Sequence, residues 1–364
     1  MLQAVRDFSD RLLGRGRAAI TVPVMDGALK PNRALDQAQV LAHLPGIDDL
    51  ASDGRALYAS AGPCLYRLEG EALVEVHRFD ADITALAVGA QGLVALALAG
   101  SHVTLRQASD CKELARLDRV AGQALHGVNA LAFDGADQLL LSDGSMQHAP
   151  AQWCHDLMAH GRGGRVARWN VRSQQSELIA GAQHHAFGVL PLNGSVLHSE
   201  SWRHRIVRST PGGREDVLAE LPGYPSRMAP ASDGGFWLTC FVCRTQLVEF
   251  VLREDAYRQR MMNEIDPRYW IAPALSSGHS FLEPLQGAGV KQMGVLKPWA
   301  PPRSYGLVLK VSAQGRITSS MHSQVDGRHH GITAAVEWGG ALYAASKGSG
   351  RLLRVTLSPA GDAA

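Results

Sequence analysis

The chain has 364 residues, with 36 lysines and arginines against 34 aspartates and glutamates, a formal net charge of +2 and 38 glycines. Interspersed signs without a basic cluster exclude nucleic acid as the main partner, while acidic metabolites stay compatible with that charge. The five cysteines, Cys64, Cys111, Cys154, Cys240 and Cys243, are an odd number on a long chain, which reads as reduced thiols of a cytoplasmic protein rather than a disulfide framework.

At the start, MLQAVRDFSDRLLGRGRAA sets Val5, Phe8, Leu12 and Leu13 on one helical face, and Arg6, Asp7, Asp10 and Arg11 break any apolar run. A short amphipathic helix within an N-terminal arm over 1–33 is expected, and no secretory or transmembrane segment. Next, Ala34 to Leu44 reads as a lone strand. From Asp48 onward one pattern returns six times: apolar strand, Gly-containing turn, apolar strand ending near a polar residue, third strand. The copies begin DDLASDG, DITALAVGAQG, VNALAFDGADQ, HAFGVLPLNG, PSRMAPASDGG and GITAAVEWGG. A period of about 40–50 residues is what a four-stranded propeller blade needs, because one such sheet cannot cover both of its faces. The predicted fold is therefore all-β, a single six-bladed β-propeller over 34–364, with the 34–44 strand completing the last blade so that no edge stays open. A β-sandwich with irregular loops is the alternative.

Two inserts break the rhythm. SMQHAPAQWCHDLMAHGRGG interrupts the third copy and carries His148, His155, Asp156 and His160; the second, 244–303 in the fifth copy, contains the helical stretch VEFVLREDAYRQRMMNEI. Long excursions from a compact β-fold are functional or interfacial, so 244–303 is read as a partly helical cap over one channel mouth, a buttress, or a protein-docking segment. Just before it, Cys240 and Cys243 form CFVC, and no second pair completes a zinc site.

The run from His198 to Leu238, HSESWRHRIVRSTPGGREDVLAELPGYPSRMAPASDGGFWL, resembles the signature of strictosidine-synthase-like propellers, and VNALAFDGADQLLLSDGS, GGRVARWNVRSQQSELIAG and SYGLVLKVSAQGRI resemble further segments in the same order. The resemblance covers most of the chain from Asp48 and implies kinship with the gluconolactonase, regucalcin and paraoxonase propellers. Their members use a channel-bound divalent cation, usually calcium, for lactone or ester hydrolysis. Carried over position by position, the resemblance gives Asp48 and Asn129 as metal ligands. At two further ligand positions this chain has Phe187 and the pair Ser226 and Arg227. A hard cation needs six to eight oxygens, so the implied Ca2+ site is incomplete. Where strictosidine synthase has its glutamate, this chain has Thr333, which speaks against alkaloid condensation.

Two functions remain in view. In the first, a small ester or lactone is hydrolysed at the channel: His185 or His330 activates water, oriented by Asp48. Arg227 and Asn129 would then bind or polarise the substrate, with Ser226, Phe187, Glu200 and Asp143 as further lining candidates. In the second, the propeller is non-catalytic and binds a small acidic metabolite, or a protein partner through 244–303.

Overall fold

The computed structural model describes residues 22–279, 283 and 304–357, with backbone alone at 291–292 and 295–296. The expected N-terminal helix over Val5 to Leu13 lies outside the described residues, as does most of 280–303. Six four-stranded antiparallel sheets form the body. Their innermost strands are Ile47–Ser52, Ile83–Val88, Val128–Phe133, Ala186–Leu192, Gly223–Pro230 and Ile332–Trp338. The sixth sheet takes its outer strand from the start of the chain: Gln39–His43 pairs antiparallel with Arg351–Thr356. This is the closure expected from the lone early strand, and it leaves no unpaired blade edge at the seam. Among the described residues no helix is long and apolar enough to cross a membrane.

Strand chemistry follows depth in the blade. Inner and second strands are buried on both faces and read as nearly continuous apolar runs, whereas the outermost, such as Ala72–Arg78 and Gly213–Leu218, carry exposed charge. The core lies between blades. In one interface Ala85, Ala87, Ala95 and Ala97 of the second blade face Leu131, Leu139, Leu141 and the fully buried Trp169 of the third. Small residues on one blade make room for the indole of the next. Truncating Leu139 or Leu141 to alanine there costs about 2–5 kcal/mol.

Every inner strand carries a bulge at the same place, and the fifth has a second irregularity just before it, between Tyr224 and Pro225. Pairing with the second strand slips between Ile47 and Asp49, Ile83 and Ala85, Val128 and Ala130, Ala186 and Val189, Pro225 and Met228, and Ile332 and Ala334. Stacked on this register, the six inner strands read IDDLA, ITALA, VNALA, AFGVL, PSRMA and ITAAV. The bulge turns the second residue of each copy, Asp48, Thr84, Asn129, Phe187, Ser226 or Thr333, out of the ladder beside the channel. In the third column four copies have Ala or Gly, and Gly188 must be glycine: a Cβ there would lie 2.2 Å from the Ser226 carbonyl oxygen. Asp49 and Arg227 are the two exceptions.

The described part of the inserts packs beside one end of the channel. Trp153–Met158 of the third blade and the helices Gln246–Val251 and Asp255–Glu264 of the fifth share a cluster with Phe187, Tyr224, Phe241 and Trp270. His160 Nε2 donates to the Leu252 carbonyl at 2.9 Å, and the Arg258 guanidinium to that of Met158. Thr245 caps the first of the two helices by accepting from the Val248 amide at 3.2 Å.

Candidate active site at the channel

Arg227 fills the channel axis. Its Nε donates to the Asn129 carbonyl at 3.0 Å, Nη1 to the Asp48 carbonyl at 2.8 Å and the Thr333 carbonyl at 3.4 Å, and Nη2 to the Thr84 carbonyl at 2.7 Å. Asp48 Oδ1 lies 3.3 Å from Nη1, and Asp49 Oδ2 3.1 Å from Nε. The Phe187 ring covers one face of the guanidinium, 5.3 Å from Cζ. Counting its own strand, this one side chain touches all six blades. The bulges make this possible: each frees a second-column carbonyl from the ladder, and a guanidinium has five N–H donors to spread among them.

Two adjacent carboxylates share that cation and respond differently. Burial alone pushes Asp48 up, but Lys347, with Nζ 3.1 Å from Oδ2, and Arg227 together hold it below the usual carboxylate range. For Asp49, burial outweighs Arg227 and the neighbouring Asp48 charge adds to it, so the carboxyl is pushed up to about 6. It stays in place by accepting from the Leu50 and Leu86 amides, each at 2.8 Å. Lys347 is the partly exposed member of the group, at 36% of its side chain.

Beside this ring lies a histidine–carboxylate pair. His185 Nδ1 sits 3.2 Å from Asp156 Oδ2, and its ring stacks on Trp202 with centroids 4.2 Å apart. Nε2 faces Asn129 Nδ2 at 3.3 Å. An amide nitrogen only donates, so the network assigns the proton to Nδ1 and leaves Nε2 the lone pair. Asp156, on the third-blade insert, also accepts from Ser145 Oγ at 2.7 Å and Trp202 Nε1 at 2.8 Å. Burial pushes its carboxyl up, yet His185, Ser145 and Trp202 hold it well below the ordinary range. Gly161 closes over it, since a Cβ there would come 2.2 Å from Oδ1.

The structure thus gathers Asp48, Asn129, Phe187 and Arg227 at one point, with His185 adjoining. The carboxylate that orients His185 is Asp156, not Asp48. His330 stands apart: Nδ1 meets Ser304 Oγ and Nε2 the Gln324 carbonyl, both at 2.7 Å, and burial lowers its pKa. Ser226 turns its hydroxyl into its own blade, 2.7 Å from Thr239 Oγ1. Asp143 and Glu200 hold corresponding positions in two blades and act there as ties. Asp143 takes Arg165 Nε at 2.9 Å and the Gly127 amide at 2.6 Å. Glu200 takes Arg205 Nε at 2.6 Å and the His184 amide at 2.8 Å. Both fasten the loop that enters the inner strand. Cys240 and Cys243 are buried, with Cys243 pushed up to about 12, so neither offers a thiolate at neutral pH. Sequence reasoning missed Asp49, Lys347 and Trp202 and left Asp156 without a role. Only Asp49 had a readable signal, as the second charged residue in a column of small ones.

No family model matches the chain. In sequence it is similar to the adipocyte plasma membrane-associated protein of Salmo salar, 23% identical over 92% of this chain and 82% of that protein. In fold it is similar to a gluconolactonase from Xanthomonas campestris, with a TM-score of 0.58 and 13% identity over 93% of this chain and 95% of that one. It is also similar to a calcium-binding protein, regucalcin, from Agrobacterium tumefaciens, with a TM-score of 0.52 and 10% identity over 87% and 92% of the two chains. The fold is that of gluconolactonase- and regucalcin-type six-bladed propellers.

Proposed function

We propose that the chain hydrolyses a small ester or lactone without a metal, using His185 as general base, Asp156 as the carboxylate that fixes its tautomer, and Arg227 where metal-dependent propellers hold a cation. The observation that carries this reading is the direction of the pair: Nδ1–H on a buried carboxylate and a lone-pair Nε2 turned to Asn129 of the channel ring. Nε2 takes a proton from water as the oxygen attacks the substrate carbonyl; the acyl C–O bond then breaks and the same proton passes to the leaving alkoxide. For a lactone the product is a hydroxy acid. Asn129 Nδ2 donates to Nε2 and to the Ala186 carbonyl at 3.2 Å, so water takes the place of the first of these bonds, and the partly exposed Lys347 ammonium is the donor for the developing oxyanion. Arg227 is a positioning residue, since its contacts are with backbone carbonyls and the two aspartates. The ring fits a calcium ion poorly for the same reason: four of its carbonyl oxygens already accept from a fixed positive charge. The likeness to a gluconolactonase supports the lactone class.

A second reading rests on burial. His185 is 3% exposed beneath Trp202, a setting that also suits a non-catalytic propeller, with the exposed Phe250, Tyr257, Ile265 and Tyr269 of the insert as its partner surface. Purified protein assayed with EDTA on δ-lactones and p-nitrophenyl esters separates the two. The enzyme reading expects turnover that survives the chelator and falls about 10²–10⁴-fold in His185→Ala, with a comparable loss in Asp156→Asn. Rates no higher than buffer for every substrate would leave the binding reading standing.

A further inference from the structure

On the side of Arg227 away from His185 the channel widens into a cavity of about 510 Å3. Its wall repeats with the blades. The fourth column of the inner strands forms a collar, Leu50, Leu86, Leu131, Val189, Met228 and Ala335, and the fifth is alanine in four blades, Ala51, Ala87, Ala132 and Ala229. Alanines where strands would otherwise carry larger side chains keep the space open. Arg227 and Asp49 close its head. Phe187 covers the guanidinium from the mouth and forms no part of the cavity wall, so the opposite face of the guanidinium is the roof.

Two properties define what fits beneath that roof. Arg227 and Asp49 neutralise each other at 3.1 Å, leaving no net charge at the head for an ion to seek, and a ligand carboxylate would lie against Asp49 in a cavity that Asp53 and Glu337 also line. The collar also supplies donors. The Leu50 and Leu86 amides point into the channel, where Asp49 takes them. Non-hydrogen-bonded positions of an inner strand present N–H sideways, and the shared register turns the same group of Leu131, Val189, Met228 and Ala335 to the channel. We propose that this cavity is a second ligand site, for an uncharged, flat, largely apolar molecule of roughly 10–20 heavy atoms with one acceptor oxygen. Its ring packs under the Arg227 guanidinium and its oxygen meets the collar N–H groups.

The neutral fluorophore acdan, an acetylated dimethylaminonaphthalene, has this shape and reports polarity through its emission. Titrated into the full chain, it is expected to bind saturably at one site with a blue shift, to be displaced by acetylnaphthalene, and to resist naphthoate. Ala132 and Ala51 are half-buried on the wall, so Ala132→Trp or Ala51→Trp fills the space and weakens binding at least about tenfold. His185→Ala, at the other end, leaves the affinity unchanged. No saturable binding, unaltered affinity in a tryptophan variant with a native circular dichroism spectrum, loss of binding in His185→Ala, or displacement by naphthoate as strong as by acetylnaphthalene each overturns the proposal. Should neither tryptophan variant fold, the two competitors and His185→Ala still decide it.

Discussion

The two ends of the channel differ although one backbone pattern builds both. On the Phe187 side of Arg227 the second column presents Asp48, Asn129 and Thr333, bound up with His185 and Lys347 in a polar network. On the other side, two to three residues further along the same strands, the wall is mainly leucine and alanine around open space. Arg227 is the divider. Successive residues of a strand face different surroundings, so a single column can switch a channel from polar to apolar. The cost is a buried cation with two buried carboxylates, and such a group is stable only while every member has its partner.

The most severe way to break the division is Arg227→Ala. It leaves Asp49 without its cation, Asp48 with Lys347 alone, and the Thr84 and Asn129 carbonyls without the guanidinium, and removing one partner of a buried ion pair costs about 3–5 kcal/mol. Urea unfolding would read the loss as a lower midpoint. Combining Arg227→Met with Asp49→Asn should recover much of it, because replacing both partners leaves no orphaned charge between them. A single-variant loss below about 1 kcal/mol would show that Arg227 does not hold the ring together.

A gentler change sharpens the comparison from the Asp49 side. Burial lifts its carboxyl from 3.8 to about 6 in the folded chain. The folded state therefore holds the proton more tightly than the unfolded one. Its contribution to stability is complete below about pH 4 and is lost as pH rises through about 6, by up to about 3 kcal/mol. Asp49→Asn cannot ionise, so relative to the parent it should gain stability between pH 4.5 and 7.5, read from urea midpoints at the two pH values. Parallel pH profiles for the two proteins would mean that Asp49 is ionised throughout.

Much of the framework was legible because its cause is local. Alternation, glycine turns and a sixfold period announce blades, and a lone strand ahead of the first copy announces ring closure, which Gln39–His43 carries out on Arg351–Thr356. The resemblance, not the repeat, pointed to Asp48, Asn129, Phe187 and the Ser226–Arg227 pair, and the structure brings Asp48, Asn129, Phe187 and Arg227 together. What escaped depends on distance in the chain. Asp156 reaches His185 from an insert whose position no repeat dictates, and Lys347 meets Asp48 only because the ring closes. His330 misled for the same reason: adjacency to an inner strand gave it a place near the channel, but Ser304 and Gln324 take up both of its nitrogens.

The smallest expected effect is the response to calcium. A cation that binds only the folded chain raises its stability by RT ln(1 + [L]/Kd), about 2.7 kcal/mol at a hundredfold excess over Kd. A calcium ion at the ring would have to displace the Arg227 guanidinium from four carbonyls and from both aspartates, leaving that positive charge buried beside it. Millimolar calcium should therefore move the melting temperature by less than about 1 °C in the parent chain. In Arg227→Ala the freed carbonyls, Asp48, Asp49 and Asn129 come closer to an oxygen cage that a hard cation accepts. A calcium-dependent rise in that variant, with none in the parent, is the result expected if an arginine has taken the place of a metal; an equal rise in both would show that the ring still prefers the ion.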